Sequence, residues 1–551
     1  MSSFPIPSSA TEWSASDTTL AQSVDITPLD SHNLKLLNEV IPKTWINPTP
    51  HENYDLIAIG SGAGGLVSSK QTARRGGKSA MISGHLAGGD CLNVGCVPSK
   101  ALIRAAKLIQ EIRGGCGGDN EYGITFNNGT KVSDVNVDFG KVMERMRRLR
   151  AKIAPADSHE GTSSAGAHVF QGHGRFLSPT SIEVTSLDGN DVKVLNFKKA
   201  VIATGGRATL PIGIKGLNES TPYTTNNTLF NLTKLPREMV VLGAGVVSLE
   251  MAQCFAAFGS KVTVVQRSDE ILSKEDGDAA KIIRKHLEND GVKFILGAKV
   301  EEVVTLSNGD LNVGGGTFPE MKLRVSSKSG EEVTLATQVL LVAMGRSPNV
   351  EKLNLDLGGV AFDKGGVSVN DHGQSTSNPN VYAVGDCVSG VPRLTHMAGE
   401  MAKMVVNNSL FGDDWKISEM PIPSCMYTEP ELASVGIVSE FDESGKRREN
   451  VNVWKAGLLH NDRCILEGNN GTGPEDSGFC KIMTEEGSGK ILGATIVSSR
   501  AGDQINEITL AMKYGIDLKG VGRNVHCYPT EGEAIMGCGI QFINSSWARL
   551  D

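Results

Sequence analysis

Asp55-Leu-Ile-Ala-Ile59-Gly60-Ser-Gly62-Ala-Gly64-Gly65 runs a short apolar strand straight into a glycine turn, and a helical stretch follows. Ser79–Ile82 then supplies a second apolar strand. Strand, turn, helix and strand within about thirty residues make a βαβ unit, and hence a parallel sheet. In such a unit the first glycine permits the tight turn and the second lets backbone approach a pyrophosphate. The third brings helix against strand, and the helix N-terminus faces the phosphates. Downstream the pattern repeats as Met239-Val-Val-Leu242, then Gly243-Ala-Gly245-Val-Val-Ser248, a helix, and Lys261–Val265. One glycine turn before a helix is weak evidence, because such turns are common. Two, each in strand–helix context, point to two dinucleotide sites on an α/β framework.

Between the units, Met143, Met146, Leu149 and Ile153 recur at helical spacing, which predicts an amphipathic helix over Val142–Ile153. Strand-rich sequence follows and ends at Val201-Ile-Ala-Thr204-Gly205-Gly206. After the second unit, Val339–Val342 leads to the turn Met344-Gly345-Arg346, and Val381-Tyr-Ala-Val-Gly385-Asp386 reads as a strand ending at a ligand. From about Pro421 strands alternate with helices, as expected of a separate interface domain. Residues 1–50, rich in Ser, Thr and Pro, read as a mobile arm with a short helix near Asn33–Val40.

The 551 residues give room for several domains, with 39% apolar and 21% charged side chains, an ordinary globular balance. A net charge of −8 argues against general nucleic-acid binding, which wants a concentrated basic face. No apolar run reaches the length of a membrane span. The first basic residue is Lys35, preceded by Glu12, Asp17, Asp25 and Asp30, so the start resembles neither a mitochondrial presequence nor a secretory peptide. A cytoplasmic location is expected, with a plastid or other organelle left open. The 10 cysteines are too sparse for a disulfide scaffold, and most, Cys116 among them, read as small buried hydrophobes in a reducing compartment.

Only Cys91 and Cys96 have a spacing that suggests chemistry. They lie in Gly88-Gly89-Asp90-Cys91-Leu-Asn-Val-Gly95-Cys96-Val-Pro98-Ser99-Lys100, just after the first βαβ unit. Five positions apart, they do not share a face of a regular helix. A distorted turn at Gly95 brings them within reach of a disulfide that opens and closes. A thiolate near a helix N-terminus has a lowered pKa, which suits Cys96 to charge transfer with a flavin. The alternatives are two structural cysteines or half of a zinc site, for which no second ligand pair is evident.

The segment from Gly88 to Lys100 resembles the active-site signature of class I pyridine nucleotide–disulfide oxidoreductases: glutathione reductase, dihydrolipoamide dehydrogenase and mercuric reductase. The likeness extends over nearly everything after residue 50, including Ala203-Thr204-Gly205, the second nucleotide turn and Gly385-Asp386. It implies two Rossmann-like domains, for FAD and NAD(P), and a C-terminal α+β dimerisation domain. The boundaries expected are 1–50 (extension), 51–215 (FAD, with the redox cysteines), 216–350 (NAD(P)), 351–420 (FAD and central) and 421–551 (dimerisation). It also implies a homodimer, with FAD cradled by Gly60, Gly62, Gly64, Gly65, Gly89, Thr204, Gly205, Gly345 and Gly385. Asp386 would hold the ribityl chain, and Gly243 and Gly245 the nicotinamide nucleotide. Cys91 becomes the interchange thiol, Cys96 the charge-transfer thiol, and Lys100 and Glu250 an ion pair near the flavin ring.

Three positions depart from the family. Where an acidic residue usually binds the adenosine ribose stands Ser83, whose hydroxyl can still hydrogen-bond. At the matching nicotinamide position stands Gln266-Arg267-Ser268; a neutral residue beside Arg267 favours the 2′-phosphate of NADPH, with NADH possible. The usual His-Pro with a nearby Glu is replaced by His526-Cys527-Tyr528-Pro529-Thr530-Glu531-Gly532-Glu533, which puts Tyr528 in the base position. Phenol, with a reference pKa of about 10, is a poor proton shuttle at neutral pH. Mercuric reductase has a Tyr here, which places the chain nearest that group, although it has no cysteine before Cys91 and none in the tail Gly539–Asp551. Cys527 and Cys538 are expected to be packing residues. The acceptor is therefore a thiol-bound metal ion or a small disulfide, reduced by Cys91 at the dimer interface with Tyr528, His526 and Glu533 nearby. A glutathione or dihydrolipoyl enzyme is the alternative, and a redox-sensing flavoprotein without turnover is the non-enzymatic one.

Overall fold

Strand Tyr54–Ile59 lies at the centre of the first sheet, almost wholly buried, as expected of a parallel strand covered on both faces. Its neighbours, Ser79–Ser83 and Val192–Ile202, run parallel to it, with Ile57 opposite Ala80 on one side and Ala200 on the other. His168–Ser178 and Val381–Ala383 complete the sheet, also in parallel. The two longer strands run on past it and join Ser181–Ser186 in an antiparallel meander. The computed structural model describes residues 11–115, 123, 135–218, 220–309, 317–442 and 444–547; Cys116 lies outside them.

The second sheet is parallel throughout, in the order Lys293–Ile295, Lys261–Val265, Glu238–Leu242, Val339–Val342 and Tyr223–Thr224. Beside it stands an antiparallel sheet of Ala298–Ser307, Glu320–Ser327 and Glu332–Thr337. The last part of the chain builds a five-stranded antiparallel sheet backed by helices Ala501–Tyr514 and Glu533–Ser545. The α/β class with a separate C-terminal α+β layer is therefore as the sequence led one to expect. Gly60 shows why the first turn needs glycine: its φ is +116°, and a Cβ there would lie 2.3 Å from the Ala203 carbonyl oxygen.

The N-terminal extension departs from expectation. Residues 11–50 are not a mobile arm. Helix Ser31–Val40 is capped by Asp30, whose carboxylate accepts the His32 and Asn33 N–H groups. Trp13, Ala21, Val24, Ile26, Leu36, Leu37, Val40 and Ile41 form a buried cluster with Leu86, Ala87, Leu92, Ala151 and Ala154. A Ser- and Thr-rich composition predicts a mobile chain, but Leu36, Leu37 and Val40 fall on one face of the helix and are buried together. Among the described residues, no helix is long and apolar enough to cross a membrane.

Candidate active site

The redox segment folds as two helices, Gly89–Val94 and Cys96–Gly115, broken at Gly95. On one continuous helix the cysteines would point roughly 140° apart. The break instead brings the Cys91 side chain within hydrogen-bonding reach of Cys96. That hydrogen bond pulls the Cys96 pKa down to about 6 against the opposing effect of burial. The Thr395 hydroxyl, 3.3 Å from Cys96 Sγ, and the Lys100 ammonium help. The same contact, with burial, pushes the Cys91 thiol up. One sulfur thus carries the charge and the other the proton, a division suited to a charge-transfer thiol and an interchange thiol.

Lys100, one turn further along, places Nζ 3.1 Å from both carboxylate oxygens of Glu250. Glu250 is almost completely buried on helix Val246–Phe258, which opens from the second glycine turn. Its carboxylate also accepts the Tyr427 N–H at 2.9 Å, and the Lys100 ammonium lies 4.5 Å above the Tyr427 ring. A buried carboxylate needs such partners, because desolvation costs several kcal/mol, of order, when it stands alone. The pair joins the redox helix, the second nucleotide unit and the start of the C-terminal sheet.

The residues fit a dinucleotide. Helix Ala63–Arg74 starts at Gly62 with no side-chain cap, so its first N–H groups remain for a phosphate. Gly89 faces Gly62 across this cradle, and a Cβ on Gly89 would lie 2.8 Å from the Gly62 Cα. Gly64 packs its helix onto Val384, and Gly65 packs onto the Gly60 carbonyl. Thr204 and Gly205 line the next turn, where Thr204 Oγ1 donates to the Asn349 carbonyl and Asn349 N–H donates to Gly205 O. Arg346, next to Gly345, spans from Asp386 (2.8 Å) to Asp90 (2.5 Å). Gly385 leads into Asp386 with φ +74°.

Ser83 requires a correction. It is fully buried, with its hydroxyl held between Ser61 Oγ at 2.9 Å and the His85 carbonyl at 3.0 Å. With its surface fully covered by the chain, the hydroxyl presents neither its proton nor a lone pair to a ribose. In the second unit, Gly243 and Gly245 open helix Val246–Phe258 as expected of a nucleotide turn. Arg267 is exposed just past strand Lys261–Val265, and among the described residues its guanidinium has no ion-pair partner.

Within one chain the C-terminal residues each bond a local partner, and the meeting with Cys91 expected of them is one across a dimer interface. Tyr528 is 72% exposed and its hydroxyl donates to Asp462 at 2.5 Å, a bond that raises the phenol pKa above its usual value. His526 pairs with Glu507 at 3.0 Å, not with Glu533, and its other ring nitrogen meets the Asn524 carbonyl. Glu533 accepts the Thr530 N–H at the start of its own helix. Glu531, which the sequence reading passed over, is the buried carboxylate, satisfied by Ser499, Gln504 and Asn469. Among the described residues none of these bonds Cys91 or Cys96. Cys538 is buried, as a packing residue should be, but Cys527 is exposed in the single chain. No group of three or more described His, Cys, Asp or Glu side chains is placed to hold a metal. A groove of about 380 Å³ reaches Cys96 between the redox helix and helix Phe139–Ile153, lined in part by Lys100, Arg104, Arg145, Leu149 and Ile153.

Residues 54–402 match the family described as pyridine nucleotide-disulphide oxidoreductase, and residues 422–537 match its dimerisation domain. The chain belongs to that family. It is 30% identical to dihydrolipoyl dehydrogenase of Bacillus subtilis over 490 residues, 88% of this chain and 96% of that one. It is 33% identical to mitochondrial dihydrolipoyl dehydrogenase of Dictyostelium discoideum, over 88% and 93% of the two chains. With mercuric reductase of Lysinibacillus sphaericus it shares 30% identity, over 90% and 84%. The HOCl-induced flavoprotein disulfide reductase RclA from Escherichia coli has the same fold, with a TM-score of 0.71 at 23% identity over 88% of this chain and 98% of that one. The protein is therefore an FAD- and NAD(P)H-using oxidoreductase with a redox-active cysteine pair.

Proposed function

We propose that this enzyme passes electrons from NADPH through its Cys91–Cys96 pair to a thiol-bound soft metal ion, in the manner of mercuric reductase, and that it works as a homodimer. The observation that carries the cysteine assignment is the helix break at Gly95, which sets Cys91 and Cys96 beside Thr395 and the Lys100–Glu250 pair, with the Cys96 pKa drawn down to about 6. The chain would hold FAD with the Gly62–Gly89 cradle, the N-terminus of helix Ala63–Arg74 and Asp386. Bound FAD supplies the two-electron relay between nicotinamide and sulfur.

Two electrons and a proton open the disulfide to a Cys91 thiol and a Cys96 thiolate. Lys100, fixed by Glu250, keeps a positive charge near that thiolate. Cys91 is the sulfur that meets the acceptor. For a bis-thiolate metal complex, one NADPH and one proton yield the metal atom and two free thiols. The free guanidinium of Arg267, with Gln266 in place of a carboxylate, favours NADPH. A metal acceptor is favoured because Tyr528, whose proton is held by Asp462, stands where an imidazole would otherwise protonate a leaving thiolate. The dimer is supported by the exposed apolar residues of the C-terminal part, Val525, Tyr514 and Trp547 among them.

A second reading, a small-disulfide enzyme, is favoured by the dihydrolipoyl dehydrogenase relatives and by the His526–Glu507 pair, which could serve as an acid–base dyad. There one NADPH and one proton convert a disulfide to two thiols. Anaerobic NADPH titration, then turnover with Hg²⁺–thiol complexes, oxidised glutathione and lipoamide, separates the readings. A long-wavelength thiolate–flavin band with NADPH consumed only on the metal complex supports the first; turnover on a disulfide alone selects the second. Absence of the band would sink the cysteine assignment.

A further inference from the structure

Residues 11–50 precede the region shared with the family, which begins at residue 54. They nevertheless share a hydrophobic cluster with the redox segment, since Leu36, Leu37 and Val40 pack with Leu86, Ala87 and Leu92. The turn before Cys91 is tied to the extension by backbone as well, where Ala87 N–H donates to Val40 O at 2.9 Å.

A second tie is polar and reaches between the two cysteines. Arg150 is fully buried, and its guanidinium donates to the Asn93 carbonyl at 2.5 Å and to Asn33 Oδ1 at 2.8 Å. The Asn93 side chain in turn donates to the Ala87 and Gly89 carbonyls, both at 2.9 Å. One turn earlier on the same helix, Arg147 Nε meets Asp30, the cap of the Asn33 helix, at 2.6 Å. Among the described residues no carboxylate bonds Arg150 directly. A buried guanidinium is costly unless its donors are met, and because Nε has no partner among the described residues, the two oxygens carry all of its bonding. Asn33 supplies one of them.

The held segment needs holding. Helix Gly89–Val94 has 6 residues and ends at a break, far too short to be stable by itself. A disulfide that opens and closes requires its two Cβ atoms to stay within about 3.5–4.5 Å. We infer that residues 11–50 are a positioning element for the redox pair, in which Asn33, acting through Arg150 and Asn93, keeps the Cys91–Cys96 segment in the geometry where the sulfurs meet. Asn33 and Arg150 touch neither sulfur and are positioning residues. The inference rests on the reading of Cys91 and Cys96 as the redox pair.

The test uses the full-length, FAD-loaded protein and two substitutions in one helix. Asn33→Ala removes the acceptor for Arg150. Leu37→Ala weakens the apolar packing and leaves the polar tie through Asn33, Arg150 and Asn93 in place. After reduction, iodoacetamide alkylation of Cys91 and Cys96 is followed by mass spectrometry across pH, with the thermal midpoint recorded beside it. In Asn33→Ala the Cys96 midpoint should rise above its starting value near 6, because the thiol hydrogen bond loosens. Cys91 alkylation at pH 7 should quicken about tenfold as its proton is released from the pair. Leu37→Ala should lower the thermal midpoint and leave both alkylation profiles in place. If both variants merely lower the midpoint and alkylation is unchanged, the extension is packing and the inference is overturned. Should Asn33→Ala not accumulate folded, Asn33→Ser shortens the acceptor and reads the same quantities. Failure of the redox reading would show instead in the unmodified protein, as no NADPH-dependent exposure of the two thiols.

Discussion

The two ends of the proposed electron path are built differently. At the Cys91–Cys96 end, the chain supplies every partner itself: Thr395 and Lys100 for the thiolate, Glu250 and Tyr427 for Lys100, Arg150 for the backbone between the sulfurs. At the other end, Tyr528 and Val525 stand exposed, and His526, Tyr528 and Glu533 each bond a different neighbour. A site that must tune a thiolate needs a low-dielectric setting in which each charge is matched, and one chain can build that. Tyr528 and Val525 lie in the part of the chain that matches the family's dimerisation domain, where a second subunit would complete the proposed acceptor site.

The largest effect should come from the closed end. Cys91→Ala or Cys96→Ala should each lower NADPH-driven turnover by about a thousandfold or more, measured with whichever acceptor proves active. The open end should respond less and selectively. Tyr528→Phe should cost about tenfold with a metal acceptor and little with a disulfide, and His526→Ala the reverse. If both substitutions act alike on both acceptors, the two ends do not divide the work as described.

Smaller effects sharpen the electrostatics. The Cys96 thiolate should persist above a pH of about 6 and be lost below it, seen as a fall in alkylation rate of about tenfold for each further pH unit. Lys100→Met should move that midpoint up and Glu250→Gln should move it down, each by about half a unit to one unit. The sign follows from the charges, since the ammonium favours the thiolate and the carboxylate opposes it. Two shifts of the same sign would refute the assignment. Smallest of all, Asp462→Asn should bring the raised phenol pKa of Tyr528 back toward its ordinary value in an ultraviolet titration, with activity at pH 7 nearly unchanged.

Much of the architecture was legible in residue order. Ile57 and Val240 sit in apolar runs that only a doubly covered parallel sheet explains, and the glycine turns that follow admit few other readings. The cysteine spacing showed that a distorted turn was needed, and Gly95 marks it. Thr395 and Tyr427 were not legible, because nothing local marks a residue that meets Cys96 or Lys100 only after the chain has folded back. Glu507 was not legible as the partner of His526 for the same reason, since helix Ala501–Tyr514 brings it there from 19 residues away.

The sequence by itself determined the two glycine turns, the paired-cysteine motif and the family, because each is a local pattern set by backbone geometry and by bonding along a few consecutive residues. Only the tertiary structure decided that residues 11–50 pack against the body of the protein, that Ser83 faces inward, and that Arg150 lies buried beneath Asn93. Those outcomes depend on which polar groups find partners once water is excluded, and such partners lie far apart along the chain.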